Sequence, residues 1–250
     1  DVDSFRENGF LLSKNVIPID LINEFKSDFF YIFSNFFKCK IDENWENPKI
    51  QEKIKIKRSE NPELVKKMYV SVKQLKSYQS MFFHENVSKI IQKLLKLKKQ
   101  ILIFSEYQFR FDVPNDEQFL HNWHQDSAYY PQDPDGENSL VVNITLHDSK
   151  KEMGIPRLIK GSHLKRKLSF LDNSYKDTKI TQLNVSDDDI DKNLIVIPES
   201  REGDVIFYHM NLIHKSGYNK TQQTRFSALS RVFNPMAVEY KGFNQRSELI

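Results

Sequence analysis

From residue 101 onward the chain is a series of short segments rich in β-branched and aromatic residues. They are "ILIFSEYQFRF", "SLVVNITLH", "LIVIP", "DVIFYH" and "RFSALSRVF", bounded by Gly, Pro, Asn and Asp. Such runs suit pleated, half-buried strands. No strand–helix alternation follows, which argues against a parallel doubly wound sheet. Short strands joined by turns point instead to a sandwich or barrel. The polar stretch 172–193 reads as a long surface loop. Its Asp187, Asp188 and Asp189 read as solvated, because no spaced glycine and no bidentate glutamate completes a calcium loop.

The first hundred residues carry the other period. In "LINEFKSDFFYIFSNFF" the apolar residues Ile22, Phe25, Phe29, Ile32, Phe33 and Phe36 recur at helical spacing, with Asp20 placed as the N-cap. In "NVSKIIQKLLKLKKQ" the residues Val87, Ile90, Ile91, Leu94 and Leu95 form one stripe, and Lys89, Lys93, Lys96 and Lys99 fall mostly on the solvated face. The expected architecture is mainly β with flanking helices. One domain spans 1–250, with 1–100 as largely helical support and 101–250 as most of the β core.

Composition narrows the function classes. A net charge of +3 over 250 residues leaves no nucleic-acid footprint. One cysteine, Cys39, allows no internal disulfide, and no run of 18 apolar residues or signal segment is seen, so the expectation is a cytoplasmic protein without a membrane partner. A zinc finger lacks its cysteines, and HExxH, P-loop and GxSxG motifs are absent.

The chemistry lies in histidine spacing. His124 and Asp126 are two positions apart, which on a strand aims both side chains to one face. A third ligand from a later strand would complete the two-histidine, one-carboxylate facial triad of non-haem Fe(II) oxygenases, which leaves positions open for a co-substrate and dioxygen. His214 ends a predicted strand and Arg225 follows eleven residues later. On neighbouring strands of one hairpin, Arg225 would offer a bidentate fork to a carboxylate near the metal, and Ser216 a hydroxyl. Such a site binds a dicarboxylate. His209 competes as distal ligand, but the interval to Arg225 and the His-x-Ser context favour His214. His121, three before His124, would face away from it and reads as a loop or surface histidine.

Together these motifs resemble the phytanoyl-CoA dioxygenase family of Fe(II)/2-oxoglutarate oxygenases. The matches are His124-Gln125-Asp126, Gly161-Ser162-His163 after Gly154, Gly203-Asp204 before a strand, His214-x-Ser216-x-x-Asn219, Arg225 and the opening "FRENGFLLSKNVIP". The resemblance implies a double-stranded β-helix, or cupin-like jelly roll, with the helices packed outside it. It implies Fe(II) on His124, Asp126 and His214. It implies 2-oxoglutarate chelated to that iron, with its far carboxylate on Arg225 and Ser216 and a further contact from Gln108. The chain departs from the family at Lys160, Met153 and Asn143, where proline, asparagine and tryptophan are usual.

On the substrate side the candidates are Trp123, Tyr129 and Tyr130, which read either as core or strand-face aromatics or, for one or two of them, as pocket wall, and Arg231, which either binds an anionic substrate or pairs with a nearby acid. Asp126 stands where related halogenases carry Gly or Ala, so oxygenation is expected. The expected reaction is hydroxylation of an unactivated C–H bond of a small molecule, with release of succinate and CO2. The same residues would also serve desaturation, oxidative cyclisation or epimerisation. A non-catalytic jelly-roll binding module and a zinc hydrolase are the readings from other classes.

Overall fold

Every second residue of the long strands faces a layer of helices, and this alternation builds the core. The structure, a computed structural model, describes residues 2–117, 120–130, 133, 135–165, 168, 171–174 and 181–236. Helix α1 (Val2–Asn8) leads into β1 (Phe10–Ser13), and five helices follow: α2 (Ile19–Phe37), α3 (Pro48–Glu60), α4 (Pro62–Val72), α5 (Lys76–Phe82) and α6 (Glu85–Leu94). The strands are β2 (Ile103–Asp112), β3 (Ser139–Thr145), β4 (Arg157–Ile159), β5 (Leu171–Ser174), β6 (Thr181–Asn184), β7 (Ile195–Val196), β8 (Val205–His209), β9 (His214–Lys215) and β10 (Arg225–Phe233).

The large sheet is antiparallel in the order β1-β8-β3-β10-β2. Phe109, Val142, Phe207, Phe226 and Ala228 point to the helical side and join Phe25, Phe29 and Trp45 in one buried cluster. Phe29 and Phe109 have ring centroids 5.2 Å apart, and Trp45 and Phe226 4.5 Å. These tilted contacts suit the quadrupoles of the rings. The period of α2 delivers Ile22, Phe25, Phe29 and Phe33 to this core, joined by Phe30 and Phe37. Helices α3 and α4 begin at Pro48 and Pro62, each behind an asparagine whose side chain accepts a first-turn N–H.

A small sheet, β7-β4-β9, faces the other side of the large one. His124 extends it through an antiparallel bridge to His214. The two sheets with helices packed outside the larger one make the jelly roll.

Two expectations need correction. Helix α2 starts at Ile19 behind Pro18, so Asp20 lies in its first turn and does not cap it. The N-terminal half is largely helical as expected, and its strand β1 edges the large sheet, paired with β8 from Phe10↔Tyr208 to Ser13↔Val205. The stretch 172–193 is not one loop. β5 and β6 pair antiparallel, and Asp187–Asp189 form a turn of 3-10 helix with no buried residue. Residues 175–180 of that stretch lie outside the described residues.

Candidate metal centre and co-substrate pocket

His124, Asp126 and His214 are all buried, and one donor atom from each lies within 4.8 Å of the others. His124 Nε2 is 3.5 Å and His214 Nε2 3.8 Å from Asp126 Oδ1. Each imidazole is oriented by its other nitrogen. His124 Nδ1 is 2.7 Å from the Asn122 carbonyl and His214 Nδ1 2.9 Å from that of Leu212. A carbonyl only accepts, so both Nδ1 atoms carry a proton, and both Nε2 atoms face a carboxylate. Burial and the neighbouring His124 push His214 down to about 3, so its ring stays neutral. Two imidazole Nε2 atoms and a carboxylate oxygen converging on one point form a donor set that fits a divalent cation.

Asp126 has a partner of its own. Arg231 Nε and Nη2 sit 3.0 and 2.9 Å from its Oδ2. Burial alone would raise the carboxyl, yet the Arg231 guanidinium and the two histidines hold it well below the usual carboxylate range. Oδ2 is thus committed to Arg231, and Oδ1 points at the histidines.

The pocket beside these residues is the inner face of the large sheet. β2 presents Gln108 and Arg110, β3 Asn143, β8 Tyr208, and β10 Arg225, Ser227, Leu229 and Arg231. The small sheet closes it with His214 and Ser216. Arg225 Nη2 is 2.5 Å from Asp112 Oδ2, while its Nε has no partner among the described residues. The Ser216 hydroxyl accepts from the His121 amide at 3.1 Å.

The predicted site residues His124, Asp126, His214, Ser216, Arg225 and Gln108 therefore line one pocket. Tyr129, Tyr130 and Arg231 line it too. The Tyr130 phenol donates to Glu106 at 2.5 Å, and the Tyr129 phenol accepts from Leu183 N at 2.9 Å. Of the two roles weighed for Arg231, the structure shows the pairing with an acid.

Trp123 does not reach the pocket. Neighbouring residues of an extended segment face opposite ways, and with His124 inward, Trp123 packs against Ile159, Val185 and Ile213, with Lys215 Nζ 4.6 Å above its ring. Nor do His124 and Asp126 share a strand, since Asp126 opens a short 3-10 turn, Asp126–Tyr129. The expected His214–Arg225 hairpin is absent, because β9 belongs to the small sheet and β10 to the large one, and the two residues meet across the cavity. His121 is no surface histidine; it lines the pocket 5.5 Å from the His124 ring, and burial pushes it down to about 3. His209 lies elsewhere, its Nδ1 accepting from the Asn211 amide and its ring 5.0 Å from His163.

Arg110, Asp112 and Ser227 were missed by the sequence reading. A signal existed in "YQFRFD", where aromatic residues alternate with Gln108, Arg110 and Asp112. A strand with one aromatic and one polar face separates a core from a polar cavity.

Solved structures share this fold. The non-haem monooxygenase ThoJ, in its apo form, superposes with a TM-score of 0.66 at 18% identity, covering 94% of this chain and 77% of its own. EvdO2 from Micromonospora carbonacea var. aurantiaca, solved with 2-oxoglutarate, gives 0.62 at 18% identity, covering 93% and 89%. The epimerase SnoN, in complex with Fe3+, alpha ketoglutarate and nogalamycin RO, gives 0.60 at 15% identity, covering 93% and 82%. No curated protein sequence matches significantly. The family model for phytanoyl-CoA dioxygenase matches residues 5–227. The chain therefore belongs to the phytanoyl-CoA dioxygenase family, non-haem enzymes that depend on iron and 2-oxoglutarate.

Proposed function

We propose that this enzyme hydroxylates an unactivated C–H bond of a small molecule, with His124, Asp126 and His214 holding Fe(II). The observation that carries this reading is the pair of histidine Nε2 atoms turned on Asp126 Oδ1, beside a pocket that ends in Arg225. Iron(II) with 2-oxoglutarate and dioxygen supplies the oxidising power, and succinate and CO2 leave as co-products. The chain's own residues bind, orient and exclude water. Asn122 and Leu212 carbonyls fix the two imidazoles, and Arg231 keeps Asp126 Oδ2 occupied so that Oδ1 stays free. Arg225 and Ser216 receive the far carboxylate of 2-oxoglutarate, with Gln108 as a further contact. Tyr129 and Tyr130 wall the substrate side.

Epimerisation by the same residues is the second reading, favoured by the likeness to SnoN, itself described as an epimerase. The small net charge argues against a nucleic-acid partner. Among the described residues no helix is long and apolar enough to cross a membrane. A single cysteine and an Fe(II) site suit the reducing cytoplasm.

Anaerobic metal titration combined with a succinate-release assay tests the reading. The expected result is Fe(II) binding and 2-oxoglutarate turnover, both lost in His124→Ala and Asp126→Ala. Fe(II) binding without any succinate release, across a broad substrate panel, would support a binding module. Zn(II)-dependent hydrolysis would support the hydrolase. Either outcome overturns the proposal.

A further inference from the structure

We propose that Arg110 is a second cationic contact for the far carboxylate of 2-oxoglutarate, beside Arg225. The inference rests on reading this pocket as the 2-oxoglutarate site and concerns which residues make that end of it cationic.

The placement follows from strand geometry. On β2 the aromatic residues Phe109 and Phe111 pack on the helical side, which turns Gln108, Arg110 and Asp112 inward. The register with β10 sets Asp112 opposite Arg225 and Arg110 opposite Ser227. The small sheet brings Ser216 up from the other side, its Oγ 3.4 Å from Arg110 Nη2. Arg110, Ser216, Arg225 and Ser227 thus surround one end of the cavity.

The charge inventory at that end carries the argument. Asp112 is shared: its Oδ1 is 2.8 Å from Arg110 Nη2 and its Oδ2 2.5 Å from Arg225 Nη2. The side chains of Asp112 and Arg225 are 9% and 5% exposed, so water screens them little. Arg225 and Asp112 alone would be a neutral pair, and a ligand carboxylate there would meet a resident carboxylate as well as the guanidinium. Arg110 changes the sign, because among the described residues two guanidiniums against one carboxylate leave one positive charge beside the cavity. The Arg110 side chain is 20% exposed, so the excess charge is only partly screened by water, and an anion beside it is favoured. Asp126 cannot serve, being paired with Arg231. Two polar atoms at this end also have no partner among the described residues: Arg225 Nε, and the hydroxyl of Ser227, a residue only 1% exposed. A ligand carboxylate supplies both the missing charge and the missing acceptors.

The experiment is calorimetric and needs no turnover. Mn(II)-loaded wild type, Arg110→Gln and Arg110→Lys are titrated with 2-oxoglutarate and with 2-oxopentanoate. The second ligand keeps the 2-oxo acid and carries a methyl group in place of the far carboxylate. Arg110→Gln is expected to raise the Kd for 2-oxoglutarate by about ten- to a hundredfold, the scale of a charge-assisted contact. The affinity for 2-oxopentanoate stays at the wild-type value, and Arg110→Lys recovers part of the loss. Arg110→Gln leaves Asp112 paired one to one with Arg225, which favours folding. If that variant nevertheless fails to fold, Arg110→Lys decides, with weakening confined to 2-oxoglutarate expected. Equal weakening of both ligands, or unchanged 2-oxoglutarate affinity, overturns the assignment. A wild-type protein that binds Mn(II) but neither acid overturns the co-substrate reading itself, and this inference with it.

Discussion

Replacing Arg231 by methionine tests how the metal site is held together when no metal is bound. Arg231 and Asp126 are buried, with side chains 10% and 2% exposed, and they meet through two contacts of 3.0 and 2.9 Å. Removing one partner of such a pair strands the other charge, at a cost of about 3–5 kcal/mol. The cavity beside Asp126 lets water soften the penalty, so about 3 kcal/mol is expected for metal-free protein near neutral pH. For a chain of this size that lowers Tm by roughly 6–12 °C. The pH dependence has a definite sign. The Asp126 carboxyl in the native wild type lies well below its ordinary value. Its contribution to stability is therefore fully present above the unfolded-state pKa and is lost as pH falls through the folded one. Without Arg231 that contribution disappears, so the gap between variant and wild type is widest above about pH 5 and narrows toward acid. A divalent cation would replace the lost positive charge, so Mn(II) should stabilise the variant more than the wild type. Urea denaturation of metal-stripped protein across pH, repeated with Mn(II), reads all three effects. A loss under 1 kcal/mol, or a gap indifferent to both pH and Mn(II), would refute the reasoning.

Three further outcomes follow from the same geometry. Gly217→Ala should destabilise by about 1–3 kcal/mol or more in chemical denaturation, because its Cβ would lie 2.3 Å from the Ile155 carbonyl oxygen and 2.7 Å from Gly154 C. Trp123→Leu should cost about 1–3 kcal/mol of stability in the same assay, yet leave the concentration dependence on 2-oxoglutarate unchanged, since the ring faces away from the pocket. Arg225→Ala should raise the 2-oxoglutarate concentration needed for half-maximal succinate release by the equivalent of about 1.5–3 kcal/mol, measured by steady-state titration.

The candidate metal site was legible because two of its residues lie two positions apart in the chain. That short link keeps His124 and Asp126 together even though Asp126 has left the extended segment for a 3-10 turn, where the strand rule no longer applies. The Arg231–Asp126 pair shows the limit of that rule. The parity of β10 correctly puts Arg231 inward beside Arg225, but only the packed sheets show that Asp126 is the acid it meets. The three aromatics around the ligand pair divide by the same geometry. Alternation sends Trp123 to the opposite face, into a small core, while Tyr129 and Tyr130 line the pocket.

What the sequence by itself determined is local and periodic: the helical stripes of α2 and α6, the strands β2, β3, β8 and β10, and the motif set His124, Asp126, His214, Ser216 and Arg225. What only the tertiary structure decided is non-local. His214 and Arg225 are separated into different sheets, and β1 crosses from the helical half to edge the large one. The shared Arg110–Asp112–Arg225 cluster also appears only there. The physical reason is that strand pairing is chosen by which faces can be buried together. Those partners lie up to two hundred residues apart, as Phe10 and Tyr208 do, and no period in the chain reports them.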